Sequence, residues 1–290
     1  MKYLLFSFFS LSLVYARVHD FNTTRLNSTA GAGVGSILLT EGGMLNPSTL
    51  AIFNYSTLHL QRTNSETKSK SVLNDIDEEG ASTGFIYTDS RNRIKGALGY
   101  FKQQEDNDRR KRFSLSMAYP IGKRSSYGVT YRYTTDINQE DRFREDKYHQ
   151  AVIGISHVLS NGMSLGAIVI DPVGKKEIDR KVVVGFQYTM KNILSFMVDI
   201  GTDYEEDPSD TLNYAAAIQL RVLNDFFLRA GLFNDKKLQE KGNGIGAGWA
   251  SPKFILEISS KLTEPLAEIT NNVAYKSRQR ETAMSLTMRF

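Results

Sequence analysis

The sequence predicts an all-β protein: a transmembrane antiparallel β-barrel of about fourteen strands with a small N-terminal plug. Three observations carry that reading. The chain ends on Ala283-Met284-Ser285-Leu286-Thr287-Met288-Arg289-Phe290, alternating apolar and polar up to a terminal phenylalanine. It opens on a short apolar stretch of export type. Between the two lie period-two segments whose connections are alternately short and long. Mean hydropathy is −0.33 and no apolar run is long enough for a membrane-spanning helix, which excludes a helical membrane protein. A barrel wall hides its hydrophobicity in alternation, where averages conceal it.

Residues 1–16 read as a signal peptide. Lys2 precedes an apolar run from Leu4 to Val14, which closes at the small-residue site Val14-Tyr15-Ala16. The alternative, an uncleaved anchor, needs about 20 apolar residues, and Arg17 and Asp20 stop the run too early. The sequence contains no cysteine, so lipoprotein processing, disulfides and thiolate metal sites are excluded.

Residues 17–52 have a different texture and read as a plug segment, leaving 53–290 for the barrel. Asn27 to Ser36 is small and rich in glycine, and Glu41-Gly42-Gly43-Met44-Leu45-Asn46-Pro47-Ser48 follows. Asn46 before Pro47 starts a turn or helix on local grounds, because Pro fixes φ. The glycine run is a poor nucleotide motif: no strand precedes it and no Gly-Lys-Ser/Thr ending follows.

Strands are expected over 53–63, 81–90, 93–102, 111–119, 125–135, 146–157, 162–170, 180–189, 192–201, 211–222, 225–233, 243–250, 253–262 and 281–290. Tyr127-Gly128-Val129-Thr130-Tyr131-Arg132-Tyr133 shows the pattern best. Short turns near 91–92, 120–124, 160–161, 190–191, 224 and 251–252 alternate with longer polar connections over 64–80, 103–110, 136–145, 171–179, 202–210, 234–242 and 263–280. Outer-membrane barrels have tight periplasmic turns and longer outside loops, so an even count puts both termini in the periplasm. Ile269 to Tyr275 reads as part of the last outer loop or as a hairpin beyond the membrane, since a further barrel strand would make the count odd.

Parity then sorts side chains. Tyr119, Tyr127, Tyr188, Phe226, Trp249, Phe254 and Phe290 fall at the periplasmic ends facing lipid, and Tyr100, Phe113, Tyr133 and Tyr214 at the outer ends, as two interfacial girdles. The terminal alternation puts Met284, Leu286, Met288 and Phe290 on lipid. The lumen parity collects glycines (Gly128, Gly154, Gly166, Gly185, Gly244, Gly246, Gly248) and charge. Arg93, Lys95, Arg112, Arg132, Lys181, Arg221, Arg229, Lys261 and Arg289 form its basic side, and Asp199 and Glu257 its acidic side. Charge at mid-depth on the lipid face would cost about 2–4 kcal/mol. A basic lumen suits anionic solutes or headgroups; equally, it suits pairing with the plug.

Acidic runs, Asp75/Asp77/Glu78/Glu79 and Asp203/Glu205/Glu206/Asp207/Asp210, read as solvated outer loop tips, or as gatherers of divalent cations that bridge lipopolysaccharide. The net charge of +4 and pI near 9.0 therefore imply no nucleic acid. Of four histidines, His19 falls in the plug, His59 in the first strand, and His149 and His157 face outward. No nucleophile–base set converges from these spacings, so neither an enzyme nor a cofactor or metal is expected.

The Gly31-Ala32-Gly33-Val34-Gly35 segment and Asn46-Pro47-Ser48 resemble the opening of the FadL-type outer-membrane transporter superfamily, including its shorter PorV-like members. There a Gly/Ala-rich stretch leads into an Asn-Pro-Ala turn; serine replaces that alanine here. The terminal strand resembles the signal read by bacterial barrel-assembly machinery. The resemblance implies a fourteen-stranded barrel, a plug held in the lumen and, in fatty-acid transporters, lateral release through a wall gap. Gly96 and Gly99 are the candidates for such a bend. Short outer loops imply that an extracellular capture groove is reduced. Two function classes follow: passive transport of a small hydrophobic or amphipathic, anionic solute met by Arg132, Arg221 or Arg229, and a plugged platform for partner proteins. A general diffusion porin would need the plug absent or mobile. The partners implied are outer-membrane lipid, lipopolysaccharide and the assembly machinery.

Overall fold

Alternation in the sequence becomes alternation in burial. Along β4 (Asp108–Ile121), Arg110, Arg112, Ser114, Ser116 and Ala118 are buried, while Arg109, Lys111, Phe113, Leu115 and Met117 between them are exposed. From Arg112 to Met117 the polar residues are inside and the apolar ones outside, the reverse of a water-soluble sheet. A wall of that kind leaves no unpaired backbone in lipid only if the sheet closes on itself. The computed structural model describes residues 21–70, 75–105, 108–138, 144–174, 179–223, 225–265, 269–270, 273–274 and 276–290. The leader expected over 1–16, and His19, lie outside the described residues.

The sheet closes. Fourteen strands form one antiparallel barrel: β1 (Ser56–Lys70), β2 (Asp75–Asp89), β3 (Lys95–Glu105), β4, β5 (Ser125–Asn138), β6 (Arg144–Ser160), β7 (Met163–Ile170), β8 (Lys181–Met190), β9 (Leu194–Thr202), β10 (Asn213–Val222), β11 (Phe226–Asp235), β12 (Glu240–Ala250), β13 (Phe254–Pro265) and β16 (Lys276–Arg289). Two short strands, β14 (Ile269–Thr270) and β15 (Val273–Ala274), pair with each other as a separate hairpin. The seam joins β1 to β16 in register from Thr57↔Arg289 to Lys70↔Lys276. Phe290 extends it through backbone hydrogen bonds with Ser56 of 2.9 and 3.3 Å.

The wall is uneven. Strands β1 to β6 run 11–17 residues, whereas β7 to β11 run 8–10. Several expected connections are therefore strand. The stretch 64–80 continues the β1–β2 hairpin, with Asn64↔Ala81 and Glu66↔Glu79 in register, so Asp77, Glu78 and Glu79 belong to β2 and not to a loop tip. Connections at 103–110, 136–145 and 234–242 shorten in the same way. The reason is chemical: past the apolar band Asn64 and Glu66 outside and Ser65 and Thr67 inside are all polar, so the period-two contrast vanishes. The apolar band itself matches expectation. Tyr119 and Tyr127 pair at 6.1 Å at the turn end, and Trp249 sits between Phe226 (6.4 Å) and Phe254 (5.3 Å). At the loop end Phe113 and Tyr214 are exposed outward.

Candidate functional site

The lumen is occupied by residues 21–55, and their local sequence explains how. Thr23 caps α1 (Thr24–Ser28), its Oγ1 accepting from the Leu26 amide at 3.2 Å. Gly31 follows in a left-handed turn, φ +90°, which a glycine adopts without strain. After a turn of helix, α2 (Leu39–Gly42), Asn46 caps a 3₁₀ helix over Pro47–Ile52. Its Oδ1 accepts from the Ser48 amide (3.2 Å) and hydroxyl (2.6 Å). The Nδ2 end of the same amide donates to Val34 O (2.9 Å), Ser156 Oγ (3.1 Å) and Ile155 O (3.3 Å). One buried side chain thus ties two parts of the plug to β6.

Other wall groups hold the plug by its backbone. The Asp199 carboxylate accepts from the amides of Gly33 (2.7 Å) and Val34 (2.9 Å). Gln61 accepts from Thr24 N (2.9 Å) and donates to Asn22 O (2.7 Å). Ser164 donates to Gly35 O at 2.7 Å, Ser90 to Leu50 O at 2.9 Å, and Arg132 to Met44 O. Phe21 packs on Phe101 at 5.4 Å and lies under the guanidinium groups of Arg110 and Arg112.

Lumen glycines make this approach possible. A Cβ at Gly166 would stand 2.1 Å from Val34 O, and one at Gly244 would stand 2.0 Å from Asn27 O. Gly128 and Gly154 meet Pro47 and Asn46, and Gly185 meets Gly35. These glycines are cross-strand neighbours, Gly128↔Gly154, Gly166↔Gly185 and Gly231↔Gly244, so they form flat patches shaped to the plug backbone.

With the plug seated, one chamber opens at the loop end of the barrel and another at the turn end. The loop-end chamber, about 160 Å³, has an apolar floor of Leu26, Ala30, Val34, Met44, Leu45, Ile168 and Val183 under a charged rim that includes Lys181, Lys261, Glu240 and Glu281. The turn-end chamber, about 360 Å³, is lined by Arg25, Arg221, Arg229 and Arg289 against Glu41 and Glu257. The two chambers share no lining residue.

The expected site residues divide between these places. Arg132 and Asp199 line the loop-end chamber, but both engage the plug backbone. Arg221, Arg229 and Glu257 line the turn-end chamber, where Arg229 donates to Glu257 (2.7 Å) and Gln219 (2.9 Å) and lies over Phe227. Lys95, at the start of β3, donates to Ser90 O. Arg93 departs from expectation. It precedes β3, outside the alternation, and reaches the outward-facing Tyr119, donating to its hydroxyl at 3.0 Å. The lateral-gap candidates also depart: β3 pairs without a register break to β2 from Gly96 onward and to β4 from Lys95 onward, so the wall is continuous at Gly96 and Gly99. Of the plug motif, Gly31, Gly33, Gly35, Asn46 and Pro47 all stand where the segment turns or meets the wall.

Two features escape a sequence reading. Arg25, from the plug, adds a cation whose buried Nε has no hydrogen-bond partner among the described residues. The acidic run after β9 is no solvated tip at its first member. Asp203 is buried, taking Arg180 Nε at 2.8 Å and the Lys237 ammonium, while Glu205 and Glu206 also contact Arg180. Burial alone would raise the Asp203 carboxyl, but hydrogen bonds from Arg180, Lys237 and the Glu205 amide overcome it and hold it at about 2. That cluster, with Tyr204 donating to Asp171 O (2.6 Å), knits together the β7–β8, β9–β10 and β11–β12 connections above the short wall. Among the described residues, no group of three or more His, Asp or Glu stands close enough to hold a metal.

No protein-family model and no curated protein matches the chain. Solved structures do match. The toluene transporter TodX of Pseudomonas putida aligns with TM-score 0.75 at 9% identity, covering 93% of this chain and 98% of that one. The toluene transporter TbuX of Ralstonia pickettii gives TM-score 0.67 at 11% identity, covering 93% and 98%. A FadL homologue of Pseudomonas aeruginosa gives 0.65 at 10%, covering 92% and 98%. The chain shares the fold of these FadL-type channels.

Proposed function

We propose that the protein is an outer-membrane channel for passive entry of a small hydrophobic or amphipathic solute, with residues 21–55 as a plug that shifts to let it pass. The carrying observation is the loop-end chamber: an apolar floor below a polar rim, on the side where solute arrives. Its volume of about 160 Å³ is close to that of the ~150 Å³ apolar cavity that takes up benzene in an engineered protein. The shared fold with toluene transporters supports a solute of that size. An anionic headgroup on the solute would next meet Arg25, Arg221 and Arg289 in the turn-end chamber. On this reading the chain is exported by a cleaved leader. Its Met284, Leu286, Met288 and Phe290 then face lipid and the barrel-assembly machinery. Deleting Phe290 is expected to lower the fraction of heat-modifiable barrel on electrophoresis; wild-type levels would count against that role.

A second reading has its own observation. The continuous wall at β3 and the many bonds holding the plug favour a closed barrel that serves as a platform for partner proteins.

One tether separates the two. Ser48 Oγ and Ser156 Oγ lie 2.6 Å apart, and the chain has no cysteine, so Ser48→Cys/Ser156→Cys would lock the plug to β6. In proteoliposomes, oxidation of this variant is expected to bring toluene influx down to background, and reduction to restore it. Equal influx in both states would overturn the moving plug. Absence of influx in wild type as well would leave the platform.

A further inference from the structure

The long wall carries an order of side chains that neither the lumen nor the plug explains. Across β2 to β6 the outward residues Phe85, Tyr100, Phe113, Tyr133 and His149 are successive cross-strand partners, one row of rings. One step toward the loop end, about 7 Å along the strands, lies a second row. It runs Arg62, Thr83, Lys102, Lys111, Thr135 and Lys147. It holds four exposed cations, of which Lys147 also meets Glu145, one step further along β6, at 3.0 Å.

Within this row Lys102 stands directly opposite Lys111. Like charges facing each other across strands are destabilising, so the arrangement works against the sheet unless an anion lies between them. The row is also one-sided: among the described residues, no outward-facing side chain of β7 to β11 is charged. Aromatic rings settle at the border of the hydrocarbon, and cations just beyond it meet headgroup phosphates. Below the rings the same strands turn Leu98, Leu115, Val129 and Ile153 outward, an apolar strip for acyl chains.

We propose that Arg62, Lys102, Lys111 and Lys147 form a binding belt for the phosphorylated headgroup of lipopolysaccharide on the long wall. Phosphate oxygens bridge Lys102 and Lys111, the rings of Tyr100 and Phe113 pack below the sugar, and acyl chains follow the strip. A soluble polyanion would have no use for the rings and the strip, which is why the belt is assigned to a lipid. The inference rests on the outer-membrane placement proposed above.

The test compares full-length wild type, R62Q/K102Q/K111Q/K147Q and a turn-end control, K123Q/K191Q/K253Q, each purified from outer membranes. Lipopolysaccharide retained per barrel is counted by native mass spectrometry. Wild type and control are expected to keep it and the belt variant to lose most of it. In a second arm, delipidated wild type is offered lipid A with and without its phosphates, and only the phosphorylated form is expected to bind. Undiminished lipopolysaccharide on the belt variant, or equal binding of both lipid A forms, overturns the belt alone. Wild type missing from the outer-membrane fraction overturns the membrane placement and the belt with it.

Discussion

Gly166→Val is expected to turn a silent barrel into a conducting one. The Cβ at this position would lie 2.1 Å from Val34 O and 2.9 Å from both the Val34 carbonyl carbon and Asn46 Nδ2. The obstacle is backbone, so no rotamer relieves it. The plug must move off, and overpacking of this kind costs about 1–3 kcal/mol or more. The wall itself tolerates the change, because valine suits a strand better than glycine does. Planar-bilayer recordings would show closed wild type and open variant, with both running as heat-modifiable barrels. A folded but closed Gly166→Val would mean that the plug is not held through the glycine patches. Truncation of residues 17–50 provides the upper limit of the open current.

Asn46→Ala is expected to reach the same open state by the opposite route, losing attraction rather than adding repulsion. The side chain satisfies Ser48, Val34, Ile155 and Ser156 at once. Its removal leaves buried groups unpaired on both plug and wall, and each such group costs about 1–3 kcal/mol. The total is on the order of 3 kcal/mol, a shift of about 100-fold toward the undocked plug. Hydrogen exchange at residues 33–50 would rise while strand amides stay protected. Unchanged protection there would show that Asp199, Gln61 and Arg132 hold the plug without Asn46.

The barrel was legible because its signal is local. Tyr127 to Tyr133 and Met284 to Phe290 announce their faces within seven residues, and strand number, short turns and the aromatic borders all follow from such stretches. What could not be read depends on distance in sequence. Asp203 looks like any acid in an acidic run until Arg180 and Lys237, 23 and 34 residues away, are folded against it. A glycine in a strand is equally consistent with a bend and with a flat contact. Gly96 and Gly99 were candidates for the first, while Gly128, Gly154 and Gly166 turned out to be the second, and only the plug's position distinguishes them. Arg93 fails for a simpler reason: parity assigns faces inside strands, and it sits before one.

The seam between β1 and β16 sets the order in which the molecule is assembled. Thr57 finds Arg289 only when the last residues of the chain are available, which makes closure the contact with the greatest loop-closure cost and the slowest to form. The glycine patches that lie against the plug backbone belong to β5 through β8 and to β11 and β12. They exist as soon as those hairpins pair, while the sheet is still an open trough. A plug that folds onto the trough is enclosed when the seam zips shut and never has to be threaded through a finished ring. A chain whose plug is late would close around an empty lumen, so the order of folding, as well as affinity, decides whether the plug is in place.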